Sequence, residues 1–486
     1  MKIAYSKKRI YSRAYERNAQ PRDYDADIVK DAFENSMDVD AISMLTPSWP
    51  HPQELRHDRR PTLRRKLAGT IRRGCPRVGS VSDEGAPMSQ SPNRPRLTSG
   101  CAYFIAILVL IALLGACASY PTIPVTGRLA NTPISTTVDS ELAKYYLAVL
   151  SGHSPGNANV AERINSIERR FRTRPLDWLT LRELSEETSP DFATIFFINR
   201  CLSDHTNERF QSGYSSELQR IKSLIDRRRW ARIPRIGLRG YKILFIPGFH
   251  YLSNPTSGAD FSNQRRMMRE LGLNVQLAAT EEDGTIEENA EIIGRIVRSE
   301  SRLHSKLILV STSKAGPETA LALGRILRPD ETTSVRAWLS VGGLIRGTPL
   351  ADRVATWPKS WIARILFSLE STDFRSVPGL TTSASRKRMN SIRLPPKILV
   401  VQYVAAPLSG DIAEDVKGRY TYLRKYGPND GLTLLADELV PDGITIVELS
   451  FDHFYRDPEI NLKSMAIANL VADELNAGST LRKLAE

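Results

Sequence analysis

Nineteen residues, Lys306–Gly324 (KLILVSTSKAGPETALALG), constrain the fold of this chain more than any other stretch. Lys306-Leu-Ile-Leu-Val310 is a short apolar run of the kind that forms a buried strand. Pro317–Leu323 reads as a helix, because Pro317 suits a first turn that has no use for its N–H and Glu318 suits the positive end of the dipole. Between them lies Ser311-Thr-Ser-Lys-Ala-Gly316, so a strand must turn sharply through Ser313 into a helix. That is the geometry of a nucleophile elbow, in which strand and helix pass close on either side of a strained serine. The positions two before and two after the serine must then be small. Ser311 and Ala315 stand where the G-x-S-x-G pattern has glycine, and Gly316 follows at once.

The neighbouring sequence alternates strands with helical patterns. Strands are expected at Lys242–Pro247, Leu273–Ala278, Val335–Val341, Lys397–Val404 and Ile444–Leu449. Helices are expected over Phe261–Leu271 and from the capping box at Thr285–Glu288 to about Ser301. This alternation predicts an α/β fold with a mostly parallel sheet flanked by helices on both faces. Sites in such sheets form at the carboxyl ends of strands, where Phe249, Ser313, Gly343 and His453 all fall. Upstream, Val138–Leu150, Asn159–Arg172, Leu176–Glu187, Asp191–Leu202 and Ser215–Trp230 read as helices of a helical region over 138–235, packed on the body that spans 236–486.

A serine hydroxyl needs a base to take its proton, and the base needs an acid to orient it. Of the seven histidines, His51 and His57 precede an apolar segment, and His304 precedes the Ser313 strand at its far end. His153 and His205 read as surface or loop residues of the helical region. His453, in Ser-Phe-Asp-His-Phe, follows the last strand and becomes the candidate base. The acid is sought between the last two strands. Asp430, in the turn Gly427-Pro-Asn-Asp-Gly-Leu432, leads, with Asp411 and Asp437 as rivals. An oxyanion needs two positioned N–H donors. One falls to the residue after the serine, Lys314, whose side chain is expected to run along the helix or into the cleft; the other falls to Phe249, behind Pro247-Gly248.

These pieces together resemble the lipase and esterase branch of the α/β-hydrolase superfamily. They are the IPGFH loop, the STSKAG elbow, Gly347-Thr-Pro-Leu-Ala-Asp352, the NDGL loop and the DHF loop, in that order over about 240–475. The resemblance implies Ser313 as nucleophile, Asp430 as acid, His453 as base and an ester or lipid substrate. It implies no metal or organic cofactor. Residues 351–395, with an apolar helical face from Trp357 to Leu369, correspond to the cap of lipase-like enzymes or to a helix simply packed on the sheet. A binding scaffold without catalysis, or a thioesterase or acyltransferase with the same three residues, are the alternatives.

Net charge is +13, of which +7 falls in residues 1–100, and no Lys/Arg block is interleaved with aromatics. Nucleic acid is therefore not an expected partner. The four cysteines, Cys75, Cys101, Cys117 and Cys201, make no CxxC pair or Cys/His cluster, which argues against structural zinc, and only Cys201 follows Cys117, so the body has no disulfide framework.

Cys101–Ala118 is an 18-residue apolar run, preceded by Arg94 and Arg96 and ending in Leu-Gly-Ala-Cys117. It resembles a bacterial lipoprotein signal, which implies lipidation at Cys117; a plain transmembrane anchor is the other reading. Either leaves the basic flank inside and exports the residues beyond Cys117, so the expected location is the cell envelope, with the body on the periplasmic side. The Pro-, Ser- and Thr-rich segment 119–137 reads as a linker. Residues 1–100 read as a disordered or mis-annotated extension, and Met88 opens a plausible signal n-region. Translation from Met88 predicts that proteomics of the native host finds no peptide from residues 1–87; one such peptide overturns it.

Overall fold

The computed structural model describes residues 120–129, 132–153, 156–226, 237–356 and 374–485. The apolar run 101–118 with Cys117, and the Trp357–Leu369 face, lie outside these residues. From Thr122 onward the described residues belong to one compact unit; of the other, Pro47–Pro121, only Tyr120 and Pro121 are described. Among the described residues no helix is long and apolar enough to cross a membrane.

The described residues open with a departure from expectation. Residues 119–137 are not simply a linker, because β1 (Ile123–Leu129) and β2 (Thr132–Val138) pair antiparallel from Ile123↔Val138 to Leu129↔Thr132. The prolines suggest an unstructured tether, but a two-stranded ribbon leaves one edge of each strand unpaired and so tolerates them. Val125, Leu129, Ile134 and Val138 turn inward and are buried.

Five helices come next: α1 (Glu141–Leu150), α2 (Ala158–Arg172), α3 (Trp178–Glu187), α4 (Pro190–Leu202) and α5 (His205–Asp226). Side-chain caps start them where the sequence suggests: Ser140 accepts from Ala143 N–H, Asp177 from Thr180 N–H, and Ser189 from Phe192 N–H ahead of Pro190. The fifth begins ten residues before the expected Ser215, because Asp204 accepts from the N–H groups of Thr206 and Asn207.

The body is a six-stranded, all-parallel sheet. Its elements in chain order are β3 (Lys242–Ile246), α6 (Ser262–Glu270), β4 (Asn274–Leu277), α7 (Ile286–Leu303), β5 (Leu307–Thr312), α8 (Ala315–Leu321), β6 (Val335–Val341), α9 (Pro349–Thr356), α10 (Thr382–Asn390), β7 (Leu399–Ala406), α11 (Lys417–Leu423), β8 (Ile444–Leu449) and α12 (Ile460–Ala485). The strand order is β4-β3-β5-β6-β7-β8. The chain therefore reverses direction across the sheet between β3 and β5, and a crevice opens there at the carboxyl ends.

Alternate residues of each strand feed two cores. Leu244, Ile246, Leu307, Leu309 and Trp338 pack with α7 and α8. Ile243, Phe245, Ile308, Val310 and Tyr403 pack with α5, α6 and α12 on the other face. A third cluster joins the hairpin and α1–α4 to Val404, Ala406, Val447 and Leu449, so the helical region is built onto the β7–β8 end of the sheet. The free edge of β8 is satisfied by side chains of α5. Gln211 donates to Val447 O and accepts from Val447 N–H, and Asn207 accepts from Thr445 N–H. The described part of 351–395 is also body rather than lid: Leu380, Met389 and Ile392 are buried, and Asp352 accepts from the Thr382 N–H and hydroxyl.

Asp191 on α4 ties the layers together. Its carboxylate accepts from Asp139 N–H, Ser409 N–H, the Ser409 hydroxyl and the Tyr420 hydroxyl. Burial, then the nearby Asp139 charge, push its pKa up to about 7. The folded state thus holds the Asp191 proton to higher pH than the unfolded chain does. That contribution is complete below the ordinary carboxylate range and is lost as pH rises through about 7. Thermal unfolding between pH 4 and 8 is expected to show the stability advantage of wild type over Asp191→Asn shrinking as pH rises. An advantage that grows with pH would mean that Asp191 folds ionised.

Candidate active site

β5 runs to Thr312, and Ser313 follows with φ +52°, the left-handed conformation that non-glycine residues rarely adopt. Three backbone contacts hold it there. Ser313 N–H donates to Val341 O, Ser313 O accepts from Leu344 N–H and also from Gly316 N–H. The elbow is tight at Gly316, where a Cβ would lie 2.9 Å from Gly343 Cα. Ser311 has its own reason. The buried Trp338 indole N–H donates to Ser311 Oγ at 2.9 Å, and leaving that donor unpaired would cost roughly 1–3 kcal/mol. A glycine at 311 would supply the space without the acceptor.

His453 and Asp430 arrive on the loops after β8 and β7. His453 Nε2 lies 3.1 Å from Ser313 Oγ, and His453 Nδ1 lies 2.5 Å from Asp430 Oδ2. The two loops are stitched by a backbone bond from His453 N–H to Asp430 O, 2.9 Å. Asp430 Oδ1 accepts from the N–H groups of Leu432 and Thr433, at 2.8 and 2.7 Å. Both side chains are shielded: Asp430 is fully buried and His453 is 7% exposed. Gly342, with φ +53°, lies beside the imidazole, where a Cβ would come within 3.4 Å of His453 Cε1. The rivals are engaged elsewhere. Asp411 accepts from Leu408 N–H, Asp437 binds Arg386 through both oxygens, and His304 caps the end of α7 beside Glu300.

Gly248 lies against the elbow, its Cβ position 3.2 Å from Thr312 Cγ2 and 3.5 Å from Ser313 Cβ. Phe249 is thereby brought beside Ser313, and neither the Phe249 nor the Lys314 N–H donates in the backbone hydrogen bonds of the described residues. The Lys314 side chain runs along its own helix. Its Nζ pairs with Glu318 Oε1 and donates to Gly284 O, each at 2.8 Å. Burial raises the Glu318 carboxyl to about 7, and Asn289 donates to the same oxygen. The Phe249 loop is anchored in turn to residues 280–282, through Tyr251 OH to Thr280 O and through Glu282, which accepts from Leu252 and Ser253 N–H.

Further polar groups that sequence spacing does not reveal hold the His453 loop. Asp452 accepts from Ala413 and Phe454 N–H. Lys463 on α12 pairs with Glu448 at 2.6 Å and Asp457 at 2.5 Å, residues that flank the histidine along the chain. Glu448 is also the acceptor for the Tyr214 and Tyr403 hydroxyls. No local pattern announces these pairs, because they form only once α12 folds back across β8.

An all-parallel sheet, a strained serine at the reversal between β3 and β5, and a histidine and an aspartate on the loops of the last two strands define an α/β-hydrolase-like fold. No family model and no curated protein matches the chain. Among solved structures it is similar to a metagenomic carboxyl esterase, at 21% identity and TM-score 0.42, covering 49% of this chain and 76% of the other. It is also similar to a Bacillus licheniformis lipase in its mature form, at 19% identity and TM-score 0.38, covering 46% and 88%. A third, lipase 1 of Pelosinus fermentans, has 12% identity and TM-score 0.37, covering 49% and 98%. At such identities these likenesses carry no residue roles.

Lys463→Met would leave the buried Glu448 and Asp457 without their cation. Chemical denaturation is expected to show a loss of about 3–5 kcal/mol, larger than for Lys463→Arg. Equal stability of the Met variant would show that the clamp is not needed.

Proposed function

We propose that the protein is a membrane-tethered serine hydrolase that cleaves carboxylic, lipid-like esters through an acyl-enzyme on Ser313. The observation that carries this reading is the hydrogen-bonded run from Ser313 Oγ through His453 to Asp430, set on a strained turn. In the proposed cycle His453 Nε2 takes the Ser313 proton as Oγ attacks the ester carbonyl carbon. Asp430 accepts the Nδ1–H bond, fixes the tautomer and stabilises the imidazolium. The backbone N–H groups of Phe249 and Lys314 receive the oxyanion, a contribution of about 3 kcal/mol per donor. His453 then protonates the leaving alcohol, and a water activated by the same histidine releases the acid.

Tethering rests on the Cys101–Ala118 run with Cys117 at its end, and puts the catalytic body on the periplasmic side of a bacterial envelope. A lipid or helix anchor on a chain that also carries a site for esters suits a substrate drawn from a membrane.

Fluorophosphonate labelling of the purified chain tests the chemistry. Wild type is expected to label. Ser313→Ala is expected not to label at all, and His453→Ala is expected to label at least about a thousandfold more slowly. Absence of labelling in a well-folded wild type would move the assignment to a binding scaffold.

A further inference from the structure

Behind the site lies a carboxyl group that the proposed cycle does not use. Glu438 ends the single turn Leu435–Glu438 that follows the acid loop. It is 1% exposed, and both its side-chain oxygens are buried with no hydrogen-bond donor among the described residues. Asp430 is the charged group that acts on it, its carboxyl within hydrogen-bonding reach of the Glu438 carboxyl. Among the described residues no lysine, arginine or histidine forms an ion pair with it.

Two carboxylates cannot touch in a water-excluded site with no donor between them; one must carry a proton. Asp430 is the better anion. It already accepts from Leu432 N–H, Thr433 N–H and His453 Nδ1, three donors for two oxygens. Two carboxylate oxygens offer about four acceptor positions, so one remains. The Tyr455 hydroxyl, which feels both carboxyls, donates to Tyr403 O. Asp437, the preceding residue, is turned away to Arg386. The proton therefore belongs on Glu438.

We infer that Glu438 is a neutral carboxylic acid that donates its proton to Asp430 and so acts as a positioning residue for the Ser313–His453–Asp430 chain. The inference rests on the proposed reading of that chain as catalytic. Burial first, and the Asp430 charge second, hold the Glu438 carboxyl well above its usual range, in the same direction. A neutral donor completes the shell of Asp430 and restrains its rotation. It does so without placing a second negative charge near the imidazolium.

Infrared spectroscopy of the chain labelled with carbon-13 glutamate tests the proton directly. A carboxylic acid band beyond that of Glu318, the other raised glutamate, is expected at neutral pH and is lost in Glu438→Gln. Its absence from wild type overturns the inference whether or not the chain hydrolyses esters, so this failure is separate from that of the proposed function. Kinetics test the role. Glu438→Gln still offers an N–H to Asp430 and is expected to keep kcat within about threefold, with the acid limb of the kcat/KM profile unmoved. Glu438→Leu is expected to lower kcat at least about tenfold with KM little changed. An acid limb displaced by about one unit in the Gln variant would mean that a charge had been removed, and would overturn the inference. So would a folded Leu variant with wild-type kcat. Should the Leu variant not fold, the Gln variant and the band decide.

Discussion

The site depends on a single backbone conformation. Ser313 is held at positive φ, which costs on the order of 1 kcal/mol or more for a residue with a side chain. The surroundings over-determine it: its N–H and C=O are both bonded, Gly316 lies against Gly343, and Gly248 approaches from the other side. Each of these depends on parallel strands ending at one level. β3, β5 and β6 stop together, so the loops that leave them meet at the serine. The histidine and aspartate then need only follow the next strands outward in the same sheet.

That dependence explains what is legible in the sequence. Ser313, Asp430 and His453 can be read because each sits on a loop beyond a strand, and the order of the strands fixes the order of the loops. The strands themselves are legible as apolar runs, and α7 as a capping box that the fold retains. What cannot be read is whatever two distant segments make between them. The hydroxyl of Ser311 answers an indole on the next strand. The clamp by Lys463, and the carboxyl of Glu438 beside Asp430, have no local pattern. The hairpin at 123–138 is hidden for a different reason: its prolines argue against sheet, and only the two-stranded pairing excuses them.

The layers of the molecule are joined by polar groups as much as by apolar ones. Asp191 gathers donors from the first loop, the segment after β7 and α11, while Gln211 and Asn207 complete β8. Buried and satisfied, such groups reward one arrangement and penalise every near miss, because an unpaired partner in the interior costs more than the bond returns.

The seam between α5 and β8 also has a consequence for how the chain comes to be folded. Gln211 waits for Val447, 236 residues later, and Asp191 waits for Ser409, 218 residues later. A polypeptide emerging from its amino end can build α1–α5 locally, but it cannot close the third core until β7 and β8 exist. Closure of such long loops is slow, and it comes last. Acquisition of the native state is thus postponed until β7 and β8 have been synthesised.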